Sequence, residues 1–305
     1  MAHSAHPRPL GQRRIIVIVG PTSSGKSDLA VALARRHNGE VISADSRQVY
    51  RGLDIGSGKV SGREMGGIPH HILDVASPQR TYSVVRYERD AKKAIAGIFR
   101  RNRVPIICGG TGFYIQALVD GIRIPDVPPS PSLRQKLSRK SAGELFTLLK
   151  RTDPNRACSI DPKNKMRLIR ALEIASVLGE VPQYSARPLP YPSLFLGIAV
   201  PDDVLRQRIE RRIVRWLRSG LLAEVRRLRA SRISDTRIRS FGLVYSWTLD
   251  LALGLISRNE FLAGLARDMG KYVRRQRTWF RRDSRIHWVR TTKEALALAD
   301  QFLKR

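Results

Sequence analysis

Alternating blocks of apolar and polar residues fill the first third of the chain. Continuous apolar runs at 14–19 and 104–108 predict buried strands, since parallel strands covered by helices on both faces carry such runs. A shorter segment, 40–43, predicts another strand. Apolar residues at helical spacing predict helices over 28–37 and 82–101. The order strand, helix, strand, helix, strand predicts an α/β fold with a doubly wound parallel sheet.

Two proline-rich segments, 124–131 and 182–192, interrupt this pattern. Helical spacing between them predicts helices over 133–149 and 165–178, and an apolar strand pattern resumes at 194–200. We therefore predict an all-helical subdomain inserted into the sheet domain. The predicted organisation is a flexible tail at 1–13, a core formed by 14–121 and 193–305, and the insertion at 122–192.

Charge is the informative part of the composition. The 305 residues include 56 Lys and Arg against 26 Asp and Glu, a formal net charge of +30. Twelve basic and three acidic residues fall in 205–239, and six basic and no acidic residues fall in 271–282. This concentration, in a C-terminal region predicted as basic helices, favours a polyanion such as nucleic acid as partner. The alternative is a generally basic composition without a binding face.

Several classes of protein are disfavoured by composition. Nothing in the sequence approaches the roughly 18 continuous apolar residues of a membrane helix. The polar N-terminus lacks the apolar core of a signal peptide, so we expect a cytoplasmic protein with no membrane partner. The two cysteines, Cys108 and Cys158, have no CxxC partner, which disfavours both a disulfide framework and a zinc site.

A phosphate-binding loop follows the first predicted strand. The segment 20–27 reads GPTSSGKS and fits G-x-x-x-x-G-K-[ST] between a strand and a helix, the context that this motif requires. Backbone amides and the helix N-terminus would hold an anion, with Lys26 at the terminal phosphate and the Ser27 hydroxyl at Mg²⁺. The residues predicted to bind diphosphate are Gly20, Thr22, Ser23, Ser24, Gly25, Lys26 and Ser27.

The usual metal-binding Asp of P-loop nucleotidases is missing. Such enzymes carry an apolar strand that ends in Asp, whereas the strand at 104–108 is followed by Gly109, Gly110 and Thr111. This absence disfavours an ATPase or GTPase. A P-loop small-molecule kinase and a nucleic-acid-binding module with a relic loop remain as alternatives.

Asp45 follows the second predicted strand. In a doubly wound fold this position lies beside the phosphate loop, outside the carboxyl ends of the strands. A carboxylate there would accept a proton from an incoming nucleophile. The competing interpretation is a local hydrogen bond that only shapes the loop.

Seven blocks of sequence, in order over most of the chain, resemble the tRNA dimethylallyltransferase family, also called isopentenyl-diphosphate:tRNA transferases. The blocks are GPTSSGKSDLA (20–30), ISADSRQVYRGLDIGSGK (42–59), GIPHHILDV (67–75), GGTGFYIQAL (109–118), RLIRALEI (167–174), RIERRIVRWLRSGLLAEV (208–225) and RRQRTWFRR (274–282).

The resemblance implies transfer of a dimethylallyl group from its diphosphate to N6 of the adenine 3′ of the anticodon, position 37, in tRNAs that read codons beginning with U. Asp45 would be the base and Thr111 would position the amine. Arg212 would stabilise the pyrophosphate leaving group together with Lys26 and Mg²⁺. Three neighbouring arginines, Arg208, Arg211 and Arg215, compete with Arg212 for that role.

The resemblance also implies a set of tRNA contacts, and an adenine flipped out of its stack. The departure from the family lies in the block at 241–245, FGLVY, which lacks the usual basic residue. A monomer is expected. The implied tRNA contacts are Asp45, Ser46, Arg47, Gln48, Lys165, Arg167, Arg239, Arg274, Arg275, Gln276, Arg277 and Arg281.

Overall fold

A computed structural model describes residues 13–122, 125–182 and 186–304. The chain divides into two compact units. The larger unit runs to Asp120 and resumes at Leu189, and the smaller unit is Gly121–Pro188. Apart from Arg13, the predicted tail lies outside the described residues.

Six strands of the larger unit form one parallel sheet, which confirms the predicted fold class. Their spatial order is β3-β2-β4-β1-β5-β6. All five residues of the first strand are buried, as its continuous apolar sequence predicts. The strands are β1 (Ile15–Val19), β2 (Gly39–Ser43), β3 (His70–His71), β4 (Val104–Gly109), β5 (Ser193–Ile198) and β6 (Ile286–Val289).

Side chains of β1 alternate between two hydrophobic layers, one on each face of the sheet. Ile15, Val17 and Val19 belong to one layer, and Ile16 and Ile18 to the other. Four helices follow the first strands along the chain. They are α1 (Lys26–Arg36), α2 (Gly62–Met65), α3 (Val84–Arg100) and α4 (Gly112–Val119).

The described residues of the smaller unit form helices around an apolar core that includes Leu145, Leu149 and Leu168, with one isolated bridge between Ile122 and Ala186. The single helix predicted over 133–149 is wrong. Ser141 accepts a hydrogen bond from the Glu144 amide, and Glu144 bonds back to the Ser141 amide, so this capping box starts a new helix. The four helices are α5 (Pro131–Ser138), α6 (Ala142–Thr152), α7 (Pro154–Ser159) and α8 (Lys165–Leu178).

The C-terminal region of the larger unit is mostly helical, as predicted, but it also returns to the sheet through β6. A separate apolar cluster holds its longest helices together through Ile209, Ile213, Phe261 and Leu265. The helices are α9 (Asp202–Arg218), α10 (Leu221–Ala230), α11 (Asp235–Ser240), α12 (Leu243–Ala252), α13 (Arg258–Phe280) and α14 (Thr292–Lys304).

Candidate active site

The phosphate loop connects β1 to the start of α1. Gly25 caps the helix with a φ of 95°, in the left-handed region that favours glycine. Ser23 also has a positive φ, 63°, so the chain turns sharply at two points within the loop. A side chain at Gly20 would meet the Ser24 hydroxyl at 3.1 Å. The loop therefore has the conformation by which glycine-rich turns direct amides at an anion.

Lys26 lies in the first turn of α1 and points back over the loop. Its Nζ donates to the Pro21 carbonyl at 2.6 Å. Burial lowers the pKa of Lys26 to about 8, and the nearby Asp45 carboxylate opposes that shift. Lys26 makes no ion pair within the described part of the chain, so its ammonium is available to a phosphate group.

Arg212 reaches the same loop from α9. Its Nη1 lies 3.5 Å from the Thr22 hydroxyl and 3.4 Å from that of Ser23, while Nη2 donates to the Gly58 carbonyl at 3.3 Å. The guanidinium also stacks on the Trp216 ring at 4.9 Å. Burial lowers its pKa, and the charge of Asp45 partly offsets this.

The competing arginines are placed differently. Arg208 contacts the loop only through the Ser24 carbonyl, at 3.5 Å. Arg211 and Arg215 are exposed on α9 and make no hydrogen bond to the loop among the described residues. Of these four arginines, Arg212 therefore makes the most contacts with the phosphate loop.

Asp45 lies directly after β2, and one of its two oxygens shapes the local turn. Oδ1 accepts hydrogen bonds from the Arg47 amide at 2.8 Å and from the Gln48 amide at 3.4 Å. Oδ2 has no protein hydrogen-bond partner within the described residues. The local hydrogen bonds of Oδ1 hold the turn, and the role of Asp45 as a base, for which Oδ2 is unoccupied among the described residues, stays a prediction.

Thr111 comes from the turn after β4 and meets the turn after β2. Its hydroxyl accepts a hydrogen bond from the Ser46 amide at 3.1 Å, and its own amide donates to the Ala44 carbonyl at 3.2 Å. Two strand ends are thereby tied together beside Asp45. A hydroxyl that already accepts one bond keeps its proton to donate to another group.

Gln276 was predicted to contact tRNA, but the structure places its amide inside the protein. Its Oε1 accepts from the Thr22 amide at 3.0 Å, and its Nε2 donates to the Gly110 carbonyl at 2.9 Å. The residue is buried. Gln276 therefore fastens the phosphate loop to the turn after β4, and its tRNA contact stays a prediction.

The remaining residues predicted to contact tRNA fall into three groups. Arg274, Arg275 and Arg281 are exposed, whereas Arg277 is half-buried and bonds to Asp202 and the Val200 carbonyl. Arg239 is exposed and pairs with Asp250 at 2.6 Å. The others lie near Asp45 or in the smaller unit. Arg47 and Gln48 are half-buried after β2, while Lys165 and Arg167 begin α8.

An open cleft of about 1610 Å³ lies within the larger unit. Its wall includes the phosphate loop, Asp45, Arg212, Arg239 and Tyr272. The phosphate loop, whose conformation suits an anion, and the Asp45 carboxylate thus line one cleft. This arrangement suits transfer of a group from a diphosphate to a nucleophile.

The site fits a Mg²⁺ ion that is held largely by its substrate. No group of three or more His, Cys, Asp or Glu side chains is arranged to bind a metal among the described residues. Ser27 is the second residue of α1, and its hydroxyl makes no hydrogen bond to any described residue. One hydroxyl, with phosphate oxygens and water, is the ligand set that Mg²⁺ commonly takes beside phosphates.

Sequence reasoning missed two contributors to this geometry: the Gly58 carbonyl and the clamping amide of Gln276. A backbone carbonyl has no residue-type signature. A Gln within a basic helical block looks like a surface residue.

Across the described residues, no helix is both long and apolar enough to cross a bilayer.

Known protein families and relatives match this chain over most of its length. The family model described as IPP transferase matches residues 48–283, and the model described as isopentenyl transferase matches residues 13–80. The tRNA dimethylallyltransferase of Thermomicrobium roseum is 38% identical over 288 residues, which cover 92% of this chain and 88% of that protein.

Two solved structures have a similar fold. The tRNA isopentenylpyrophosphate transferase of Bacillus halodurans has a TM-score of 0.73 and 33% identity, covering 96% of this chain and 97% of that one. A eukaryotic dimethylallyltransferase acting on tRNA has a TM-score of 0.81 and 26% identity, covering 96% of this chain and 80% of that one.

Proposed function

The chain belongs to the IPP transferase family, and we propose that it is a tRNA dimethylallyltransferase that acts on N6 of the adenine 3′ of the anticodon in tRNAs reading codons beginning with U. Dimethylallyl diphosphate is the donor and pyrophosphate the product. The observation that carries the proposal is the convergence of Asp45, Lys26 and Arg212 on one cleft of a family member.

The reaction needs a base and a site for the leaving group. N6 attacks the allylic carbon, the bond from that carbon to the diphosphate oxygen breaks, and Asp45 Oδ2 takes the N6 proton. Thr111 donates a hydrogen bond that orients the acceptor base. The amine is a poor nucleophile because its lone pair is delocalised into the ring, so removal of its proton as the bond forms lowers the barrier.

Negative charge grows on the diphosphate as it leaves. Loop amides, Lys26 and Arg212 face that charge from fixed positions, which is the arrangement that stabilises a transition state without reorganisation. Mg²⁺, held beside Ser27, would supply further charge stabilisation. A phosphate loop therefore serves here without nucleotide hydrolysis.

A small-molecule kinase with Asp45 as base is the alternative, and the relatives do not favour it. A kinase of this fold class uses an Asp at a strand end to hold its metal, whereas β4 ends at Gly109 in this chain. The excess of basic residues also fits a polyanionic acceptor. We further propose that the enzyme is a cytoplasmic monomer.

The decisive experiment incubates the protein with labelled dimethylallyl diphosphate, Mg²⁺ and unmodified tRNA that reads codons beginning with U. We expect label in the tRNA and stoichiometric pyrophosphate. The same tRNA with guanine in place of the target adenine is the matched control and should stay unlabelled. Phosphate transfer from ATP to a small molecule, with no label in tRNA, would refute the proposal.

A further inference from the structure

Glu224, on α10, is a buried carboxylate with an unusual set of partners. Its Oε2 accepts from the amides of Asp54 and Ile55 at 2.9 and 2.7 Å, and its Oε1 accepts from the Gly56 amide at 3.1 Å and the Tyr245 hydroxyl at 2.8 Å. The residue is 1% exposed. An ionised carboxylate has about four acceptor sites, and here all are filled. No Lys or Arg pairs with Glu224 in the described residues.

The loop that Glu224 holds extends to the diphosphate site. We call residues 54–58 the anchored loop. Three successive amides at its start face Glu224, and the Gly58 carbonyl at its end accepts from Gln48 Nε2 at 3.2 Å and from Arg212 Nη2 at 3.3 Å. The other terminal nitrogen of Arg212 lies against the hydroxyls of Thr22 and Ser23. One loop thus connects a buried carboxylate on α10 to a guanidinium on α9.

The loop packs closely at its middle and at its last residue. Gly58 has a φ of 62°, and a side chain there would overlap Arg212 Nη2. A side chain at Gly56 would lie 2.7 Å from Cζ of the Tyr245 ring. Lys59, the residue after the loop, is held in place because its ammonium donates to Asp54, Asp74 and the Tyr50 carbonyl. The Gly58 carbonyl therefore has little freedom to move while Glu224 keeps its bonds.

Arginine is a long side chain with many rotamers, and ordering it on binding costs entropy. A carbonyl held in place selects one orientation of the guanidinium before the ligand arrives. We propose that Glu224 is a positioning residue for this reaction: it fixes the anchored loop so that Gly58 presents Arg212 to the leaving diphosphate. The identity of the substrate rests on the proposed function. The effect of Glu224 on pyrophosphate binding can be measured without the transfer reaction.

The test is a double-mutant cycle of Glu224→Gln with Arg212→Ala, read out by calorimetric binding of inorganic pyrophosphate with Mg²⁺ and by KM for dimethylallyl diphosphate. Glutamine turns an NH₂ group toward backbone donors, so the loop loses at least one bond. We expect Glu224→Gln alone to weaken pyrophosphate binding and raise KM on the order of tenfold, the effect of one bond to a charged group. In the Arg212→Ala background the same change should have almost no effect, because coupled residues are not additive.

Glu40→Gln is the matched control. Glu40 is also buried and accepts several hydrogen bonds, but it lies at the amino end of β2, whereas Asp45 and the cleft are at the carboxyl end. It should lower the melting temperature and leave pyrophosphate affinity unchanged. Glu224→Gln effects that are additive with Arg212→Ala, or a lowered melting temperature with unchanged affinity, would overturn the proposal.

Two other variants test the proposal if Glu224→Gln does not fold. Tyr245→Phe removes one donor and keeps the three amide bonds, so it should raise KM in the same direction by a smaller factor. Gly58→Ala displaces Arg212 with Glu224 intact and should match Arg212→Ala. Unchanged pyrophosphate affinity in both variants would also overturn the proposal. A wild-type protein that binds pyrophosphate and shows the coupling but leaves tRNA unlabelled would refute the proposed function alone.

Discussion

The two ends of β2 hold carboxylates in contrasting surroundings. Glu40, at the amino end, is surrounded by two arginines and a histidine: Arg101 at 2.6 Å, Arg103 at 3.1 Å and His71 at 2.6 Å. Asp45, beyond the carboxyl end, bonds only to backbone amides among the described residues. The charge of Asp45 raises the pKa of both Lys26 and Arg212 against the larger effect of burial, without forming an ion pair with either.

This difference separates a structural end of the sheet from a reactive one. At the amino end, both oxygens of the Glu40 carboxylate are already bonded to Arg101, Arg103 or His71. At the carboxyl end, Lys26 and Arg212 are partly desolvated without acidic partners, which costs stability that an anionic ligand would recover. Perturbed and unpaired charges in a cleft are the usual mark of a functional site.

Asp45→Asn tests the reactive end most strongly. Asparagine keeps an oxygen for the Arg47 and Gln48 amides, so the turn persists, but it is not a base. We expect kcat to fall about 10³-fold, within the range for loss of a general base. Single-turnover transfer of label at saturating tRNA measures this effect.

The control for Asp45→Asn is tRNA affinity, which should stay within about twofold because a neutral isostere removes no phosphate contact. Asp45→Ala should lose additional activity through the turn. Normal kcat with weakened tRNA binding would show that Asp45 positions RNA and that another group takes the proton.

Arg212→Ala should give the next largest effect. It removes the guanidinium that contacts Thr22, Ser23 and Gly58, and we expect kcat/KM for dimethylallyl diphosphate to fall about 10²-fold. Steady-state kinetics with tRNA saturating would show the loss. Arg218→Ala, an exposed arginine of the same helix, is the matched control and should be near wild type. Equal losses in both variants would mean that general positive charge matters and not this contact.

Local pattern was sufficient for much of this site. The continuous apolar sequences of β1 and β4 predicted two buried strands, which lie at the centre of the sheet, and the phosphate loop followed from its motif and context. Resemblance supplied the roles of Asp45, Thr111 and Arg212. The contacts that join these residues could not be predicted from the sequence. A hydrogen bond between residues far apart in the chain, such as Gln276 and Thr22, leaves no local sequence pattern.

Weak local signals explain the remaining misses. β3 has only two residues, and β6 buries only its first and last side chains, so neither shows the alternation of a strand. The break at Ser141 was lost because apolar spacing continues across it. In the sequence, Glu224 looks like any acidic residue on a basic helix. Only the structure shows that it is buried and bonded to three backbone amides.

Glu40→Gln probes the structural end. It removes a charge from a buried cluster whose arginines stay partly exposed, so we expect a loss of about 2 kcal/mol in the free energy of unfolding. Chemical denaturation measures it. KM values for both substrates should remain those of the wild type. A raised KM would mean that the two ends of the sheet are coupled.

Acid should reveal the same cluster without mutation. Burial opposes ionisation of Glu40, but hydrogen bonds from Arg101 and His71 outweigh it and hold its pKa at about 2. A carboxyl whose pKa is lower in the folded state stabilises the fold above its unfolded pKa, and this stability is lost as pH falls toward the folded value. We expect wild-type unfolding free energy to decline from about pH 4.5 to 2, and Glu40→Gln to decline less. Parallel declines would contradict the assignment.

The smallest effect concerns RNA binding by unpaired surface cations. Arg274 is exposed on α13 and makes no ion pair in the described residues, whereas Arg36 on α1 pairs with Asp300 at 3.2 Å. Each change to alanine removes one positive charge. If Arg274 contacts a tRNA phosphate, Arg274→Ala should weaken tRNA binding a few-fold and reduce the slope of log K against log salt by about 0.7 to 0.9. Arg36→Ala should leave that slope unchanged, because its charge is already matched. Equal slopes in both variants would indicate that the excess charge acts as a general field and that no binding face is concentrated on α13.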